Sequence, residues 1–255
     1  MNFQLHMTRL DKLMQTILSP RLMRAFIYAR VLSGAEHRHI LGRDLATVVD
    51  IGANRGQFSL AVRRWAPEAM VVAFEPLDRP ATLFRKVFKG DSNVILHQTA
   101  IGPEAGEAKI HVSVADDSSS LLPISKAQQR LFPGTGEINT VTIPVSRLAG
   151  FVTPKKIVPP ALLKIDVQGF ELAVLEGCQD LIECFSQVYV ECSFVELYTG
   201  QALVHEIIAW LQKQSFYLKG IYNLYYDRQG QAVQGDFLFE NNSGKILKDT
   251  LPNSH

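Results

Sequence analysis

An acid and two glycines follow an apolar run. Val48-Val49 leads into Asp50-Ile51-Gly52-Ala53-Asn54-Arg55-Gly56, after which Phe58, Ala61, Val62 and Trp65 recur at helical spacing up to Pro67. Gly52 lets the backbone turn tightly and approach a ligand, and Gly56 lets the helix pack against the strand. The Gly-x-x-x-Gly spacing departs from the Gly-x-Gly-x-x-Gly fingerprint that seats a pyrophosphate on a helix N-terminus. An acid at the strand end, Asp50, is also unwelcome beside a pyrophosphate. It suits a cationic or hydroxyl-bearing ligand, although such an Asp often does no more than cap a turn. Roughly twenty residues beyond the glycine loop, "MVVAFEP" ends in Glu75-Pro76, where a carboxylate is placed to accept both hydroxyls of a ribose. Together the two motifs point to a nucleoside-bearing ligand.

The elements around these residues alternate. "TVVDI" reads as a strand, then a helix; "MVVAFEP" as a strand, then a helix with Leu83, Phe84, Val87 and Phe88 on one face, ended at Gly90; "NVILHQTAIG" as a third strand. This β-α-β-α-β order predicts a parallel sheet with a ligand at the carboxyl ends of its strands. An insertion interrupts it, with "GPEAGEAKIHVSV" and "INTVTIPVS" as strands. The stretches "ADDSSSLLP" and onward to "FPGTGE" read as loops suited to substrate contacts. Alternation resumes with strand "ALLKIDV", helix "GFELAVLEG", strand "QVYVEC", helix "ALVHEIIAWLQKQ" and strands "SFYLKGIY" and "GDFLFE". "ALLKIDV" has no polar residue before Lys164, as expected of a strand buried on both faces. Residues 1–40 carry apolar residues at helical spacing broken at Ser19-Pro20. They are expected to form a helical cap, with dimerisation through these helices or a membrane-surface contact as alternatives. Residues 41–240 form the main domain and 241–255 a polar tail.

Composition narrows the function classes. The 255 residues are 47% hydrophobic and 20% charged, with a formal charge of +1, which fits a globular protein with a core and disfavours general nucleic-acid binding. No apolar run is of membrane-spanning length and the N-terminus lacks a secretory signal pattern, so a cytoplasmic location is expected. Cys178, Cys184 and Cys192 are odd in number and lack Cys-x-x-Cys spacing, against a disulfide framework or zinc site. The histidines lack metal-ligand spacing, and His97, His111 and His205 read as structural or exposed. No Gly-x-Ser-x-Gly elbow marks a hydrolase.

The ordered set "VVDIGANRGQFSLAVRRWAP", "AFEPLDRP", "TAIGPEAGEAKIHVS", "DSSSLL", "LLKIDVQGFELAVLEG" and "VYVECSFVELYTGQ" resembles the FkbM family of class I S-adenosylmethionine-dependent methyltransferases. The resemblance runs from about Leu41 to Phe239. It implies a Rossmann-like α/β fold with a mostly parallel seven-stranded sheet and an antiparallel last strand. It also implies S-adenosylmethionine as the ligand, which carries a ribose and a sulfonium but no phosphate. On this reading Asp50 helps hold the methionine end, directly or through water, while Gly52, Ala53, Asn54 and Gly56 form the loop. Glu75-Pro76 takes the ribose, and Thr99 and Ala100 lie against the adenine. Ser118, Ser119 and Ser120 line the site or simply form a polar loop.

Family members are associated with O-methylation of glycan sugars and macrolide-type metabolites, and the "SFVELYTGQ" form resembles bacterial proteins of surface-polysaccharide gene sets. The acceptor is accordingly expected to be a sugar hydroxyl of a glycan or glycolipid, with a macrolide-type metabolite as the alternative. Asp166 is the first candidate for the base that removes the acceptor proton, and Glu191 the second. Alternatively the two bind magnesium or manganese, although Gln168 stands where the family often has Glu, which weakens such a site. Glu171 is expected to pair with Lys164, to orient substrate, or to sit solvated at a helix start. A nicotinamide-dependent oxidoreductase shares Glu75 but not the glycine spacing. A silent binding module would not need Asp50, Glu75 and Asp166 together.

Overall fold

The computed structural model describes residues 25–26 and 33–242. Most of the expected N-terminal helical cap, and the tail beyond residue 242, lie outside the described residues.

The strands are β1 (Thr47–Ile51), β2 (Met70–Phe74), β3 (Val94–His97), β4 (Ala100–Ile101), β5 (Gly106–Ser113), β6 (Glu137–Ser146), β7 (Ala161–Ile165), β8 (Gln187–Ser193), β9 (Phe216–Tyr226) and β10 (Ala232–Asn241). From residue 33 to residue 242 the α-helices are α1 (Gln57–Trp65), α2 (Asp78–Val87), α3 (Lys126–Leu131), α4 (Glu171–Gly177) and α5 (Val204–Lys213). The main sheet has the order β3-β2-β1-β7-β8-β10-β9. The pairs β2–β3, β1–β2, β1–β7 and β7–β8 are parallel, and β10 runs antiparallel to both β8 and β9. This is the mostly parallel sheet with an antiparallel last strand expected of the class I methyltransferase fold. Chain order reverses between β1 and β7, which places a ligand crevice at their carboxyl ends.

Pleating sorts the side chains onto two faces. Val49, Ile51, Val72, Phe74, Leu163, Ile165, Val188, Val190, Phe237 and Phe239 pack with Val174 and Leu175 of α4 and Ile207 and Leu211 of α5. Val48, Val71, Leu162, Tyr189 and Leu238 pack on the opposite face with Phe58, Ala61 and Val62 of α1. Asp50, Lys164, Glu191 and Asp236 occupy this second face by strand parity, at the end where the ligand crevice opens. The central strands are thus apolar except for one row of charge on one side.

The insertion between β3 and β7 differs from expectation in two places. The third strand divides after His97: Ala100–Ile101 leaves the main sheet and pairs in parallel with Val145–Ser146, forming a small sheet of order β4-β6-β5. The buried Thr99 hydroxyl holds the break, donating to the carbonyls of Ala100 and Pro144. Within the stretch expected as loop, Lys126–Leu131 forms α3, whose N-cap Ser125 accepts from the amides of Ala127 and Gln128. Six residues are too few for helical periodicity to emerge from the sequence.

Candidate active site

A cavity of about 340 Å³ opens at the carboxyl ends of β1, β2 and β7. Gly52, Ala53, Asn54, Glu75, Pro76, Thr99, Ala100 and Asp166 line it. Asp50, Gly56 and Glu191 do not; they lie behind its walls.

The glycine loop owes its residue types to neighbours as much as to any ligand. Gly52 has φ +76°, and a Cβ there would lie 1.8 Å from the carbonyl oxygen of Asp166. The glycine is required because the loop after β7 passes directly over it. Gly56 has φ +93°, and its Cβ would meet the rings of Phe88 and Phe84 at 2.6 and 3.0 Å, so it serves close packing against the end of α2. Asn54 takes φ 46°, a conformation asparagine tolerates, and its side-chain oxygen accepts the amide of Arg55 at 2.7 Å. Its own amide donates to Glu75 Oε2 at 3.0 Å, while Leu77 donates to Oε1 at 2.8 Å. Glu75 is thereby fixed with one amide on each oxygen, and each oxygen retains capacity for a further donor. Burial pushes its carboxyl up to about 7, against the pull of the two amides.

Asp50, expected to help hold the methionine end of the ligand directly or through water, is fully buried. Its Oδ2 accepts from Ser59 of α1 at 2.7 Å, and its Oδ1 lies 3.1 Å from Lys164 Nζ, its register partner on β7. Lys164 Nζ also donates to the Gly52 carbonyl at 3.0 Å and stands 3.9 Å from Asp166. Burial lowers the lysine's pKa, but the Asp50 and Asp166 carboxylates outweigh it and the net shift is upward. Asp50 therefore acts through Lys164, which pins the glycine loop from below and lines the cavity itself.

Asp166 follows β7 with its side chain 40% exposed and its amide bonded to the Ile51 carbonyl. The Gln168 amide nitrogen donates to Asp166 Oδ1 and Glu191 Oε2, both at 2.9 Å, and its oxygen accepts from the Tyr198 hydroxyl at 2.8 Å. Gln168 adopts φ 59°, an uncommon conformation for this residue, held by these three bonds. Its amide thus spans the two carboxylates, in the place a shared cation would need. Glu191 also accepts from Gln234 at 3.0 Å, and burial together with Asp166 raises its pKa well above the ordinary value. The two base candidates separate: Glu191 is buried and already accepts an amide N–H on each oxygen, whereas Asp166 lines the cavity.

Glu171 neither pairs with Lys164 nor sits in solvent. It is buried, accepts the amides of Gly169 and Val167, and is raised to about 7 by burial. Ser119 and Ser120 line the cavity, with their hydroxyl oxygens accepting the amides of Ser113 and Leu122. His97 stacks on Phe74 and Phe151, His111 pairs with Glu137 at 2.9 Å, and His205 is exposed. The three cysteines are free.

The sequence reading missed several residues at the site. Arg55 bridges the glycine loop to Asp116 of the insertion at 2.5 Å. His37 lines the cavity and meets the Tyr189 hydroxyl at 3.0 Å, and Tyr189 in turn donates to Asp236 at 2.8 Å. Burial lowers the pKa of His37. The one signal available was Lys164, a lone charge within an apolar strand, which requires a buried partner. No helix among the described residues is long and apolar enough to cross a membrane.

The sheet order and a cavity with a carboxylate at the second strand end define a Rossmann-like domain of the class I methyltransferase type. Over residues 50–218 the chain matches the Methyltransferase FkbM domain, and it belongs to that family. The family implies S-adenosylmethionine as methyl donor. The chain is similar to the 2-O-methyltransferase NoeI of Sinorhizobium fredii, 27% identical over 214 residues that cover 80% of this chain and 84% of that one. It is also similar to Methyltransferase 1 of Beauveria bassiana, 28% identical over 156 residues, 54% of this chain and 60% of that one. A solved structure of Methyltransferase FkbM from Methylobacillus flagellatus superposes with a TM-score of 0.48 at 13% identity, covering 76% of this chain and 44% of that chain. The chain therefore spans less than two thirds of the Beauveria and Methylobacillus proteins.

Proposed function

We propose that this chain transfers the methyl group of S-adenosylmethionine to a sugar hydroxyl of a glycan or glycolipid, with Asp166 as the base. The observation that carries the reading is that Glu75 and Asp166 line one cavity while Gln168 holds the Asp166 carboxylate in place. Glu75 has free acceptor capacity for two ribose hydroxyls, Gly52 to Asn54 supply a close backbone wall, and Thr99 and Ala100 flank the adenine end. These residues fit S-adenosylmethionine and offer nothing to a phosphate. When bound, it supplies an electrophilic methyl carbon on a sulfonium that departs as a neutral thioether. Asp166 accepts the hydroxyl proton as the acceptor oxygen attacks. A positioned base of this kind is worth about 10²–10⁴ in rate. Similarity to a 2-O-methyltransferase supports oxygen as the nucleophile.

Because the Gln168 amide occupies the space between the carboxylates, we assign Asp166 its role without a metal. The test is radiolabelled methyl transfer to cell-envelope glycans with and without EDTA, beside calorimetry with S-adenosylmethionine and NAD. Binding of S-adenosylmethionine with EDTA-insensitive labelling is expected. Binding of NAD alone would overturn the assignment, and loss of labelling with EDTA would return Asp166 and Glu191 to a metal role.

A further inference from the structure

A second cavity of about 310 Å³ adjoins the first, and Asp117, Asp166 and Gln168 line both. Its remaining walls come from the insertion and from β10. We propose that this cavity seats the acceptor, and that its occupant is the ring of a polyhydroxylated sugar that carries no anionic group. The inference rests on the methyltransferase reading above and adds where the acceptor sits and which charge it lacks.

Three observations support it. First, the cavity touches the cofactor-side cavity at Asp166, so a hydroxyl of its occupant meets the base and the methyl donor at one boundary. Second, the lining is hydrogen-bonding and carries no cation: Ser118, Gln128, Thr135 and Gln234 stand beside Phe132. The two charged side chains among the described lining are the acids Asp117 and Asp166, and no lysine or arginine is there to meet a phosphate or uronate. Phe132 lines the cavity and packs on Tyr225 at 4.8 Å between centroids, and an aromatic ring suits the C–H side of a sugar. Third, Gln128 is only 3% exposed, yet its Oε1 has no hydrogen-bond partner. A buried acceptor left unpaired is costly unless a ligand donates to it. Gln168 and Gln234 differ, since their amides are committed to the Asp166–Glu191 network.

The insertion is built to hold this wall still. Ser125 caps α3 and its amide bonds the Leu197 carbonyl, Thr199 donates to Pro123, and the Tyr198 hydroxyl reaches the Ser118 carbonyl and Gln168. The "SFVELYTGQ" segment thereby joins the insertion to the base.

The test uses the full chain saturated with S-adenosylhomocysteine and saturation-transfer NMR. The probes are the methyl glycosides of glucose, galactose, fucose and rhamnose, with glucose 6-phosphate and glucuronate as anionic counterparts. At least one neutral glycoside is expected to bind in preference to the anionic sugars. Gln128→Leu is expected to weaken it tenfold or more while leaving S-adenosylhomocysteine affinity unchanged. The same substitution removes the orphan oxygen and is expected to leave the melting temperature unchanged or raised, whereas a merely structural glutamine would lower it. Phe132→Leu provides a second variant with the same expected loss. Binding of the anionic sugars alone, binding of none, or wild-type affinity in both variants overturns the subsite. Failure of the wild type to bind S-adenosylhomocysteine overturns the methyltransferase reading itself, and the subsite with it.

Discussion

At the residue scale, the site depends on charges placed in the sheet interior. Asp50 and Lys164 are register partners with almost no solvent contact, and removing one leaves the other stranded. Lys164→Ala is expected to cost about 3–5 kcal/mol in denaturant unfolding, and Lys164→Met combined with Asp50→Asn to recover much of it. Wild-type stability in the single variant would show the pair to be idle. Glu75 gives a pH signature. Its carboxyl titrates at about 7 in the folded chain against an ordinary value of 4.5, as does that of Glu171. The folded chain retains protons that the unfolded chain releases between those values. Both groups therefore lower stability as pH rises from 4.5 to about 7 and add no further change above. Ligand binding runs the other way, because the ionised carboxylate is the better acceptor for two hydroxyls. S-adenosylmethionine affinity is expected to rise from pH 6 to pH 8. Glu75→Gln is expected to abolish that dependence and to weaken binding by roughly 1.5–3 kcal/mol, ten- to hundredfold. Calorimetry across this range checks both. The residue types at these positions were legible in the sequence, but the direction of each side chain was not. Asp50 at a strand end reads as a ligand contact until the register pairs it with Lys164.

At the element scale, the loops at the ends of β1 and β7 are interlocked. Gly52 has no room for a side chain because the Asp166 carbonyl lies over it. Gly52→Ala is therefore expected to displace the loop bearing Asp166, costing more than the roughly 1–2 kcal/mol of the left-handed conformation alone. Activity is expected to fall by far more than a stability loss explains. Unchanged turnover and melting temperature would contradict the interlock. The strand–helix alternation was readable because long apolar periodicities dominate it. The insertion was less so. The break between β3 and β4 depends on one threonine hydroxyl, and α3 is too short to show a period. Tyr198 and Gln128 gain their places from contacts across the chain, which local pattern does not encode.

For the whole molecule, the sheet places one polar row at the point where chain order reverses, and the insertion closes that end. Family membership implies S-adenosylmethionine as the donor. The central claim is narrower: Asp166 removes the acceptor proton while buried Glu191 supports it through Gln168, whose amide nitrogen bonds both carboxyl groups. The most direct measurement compares Asp166→Asn with wild type, following methyl transfer to the acceptor and the dissociation constant of S-adenosylmethionine together. The account predicts turnover lowered by about 10²–10⁴ with cofactor affinity nearly unchanged. Normal turnover in that variant would contradict it.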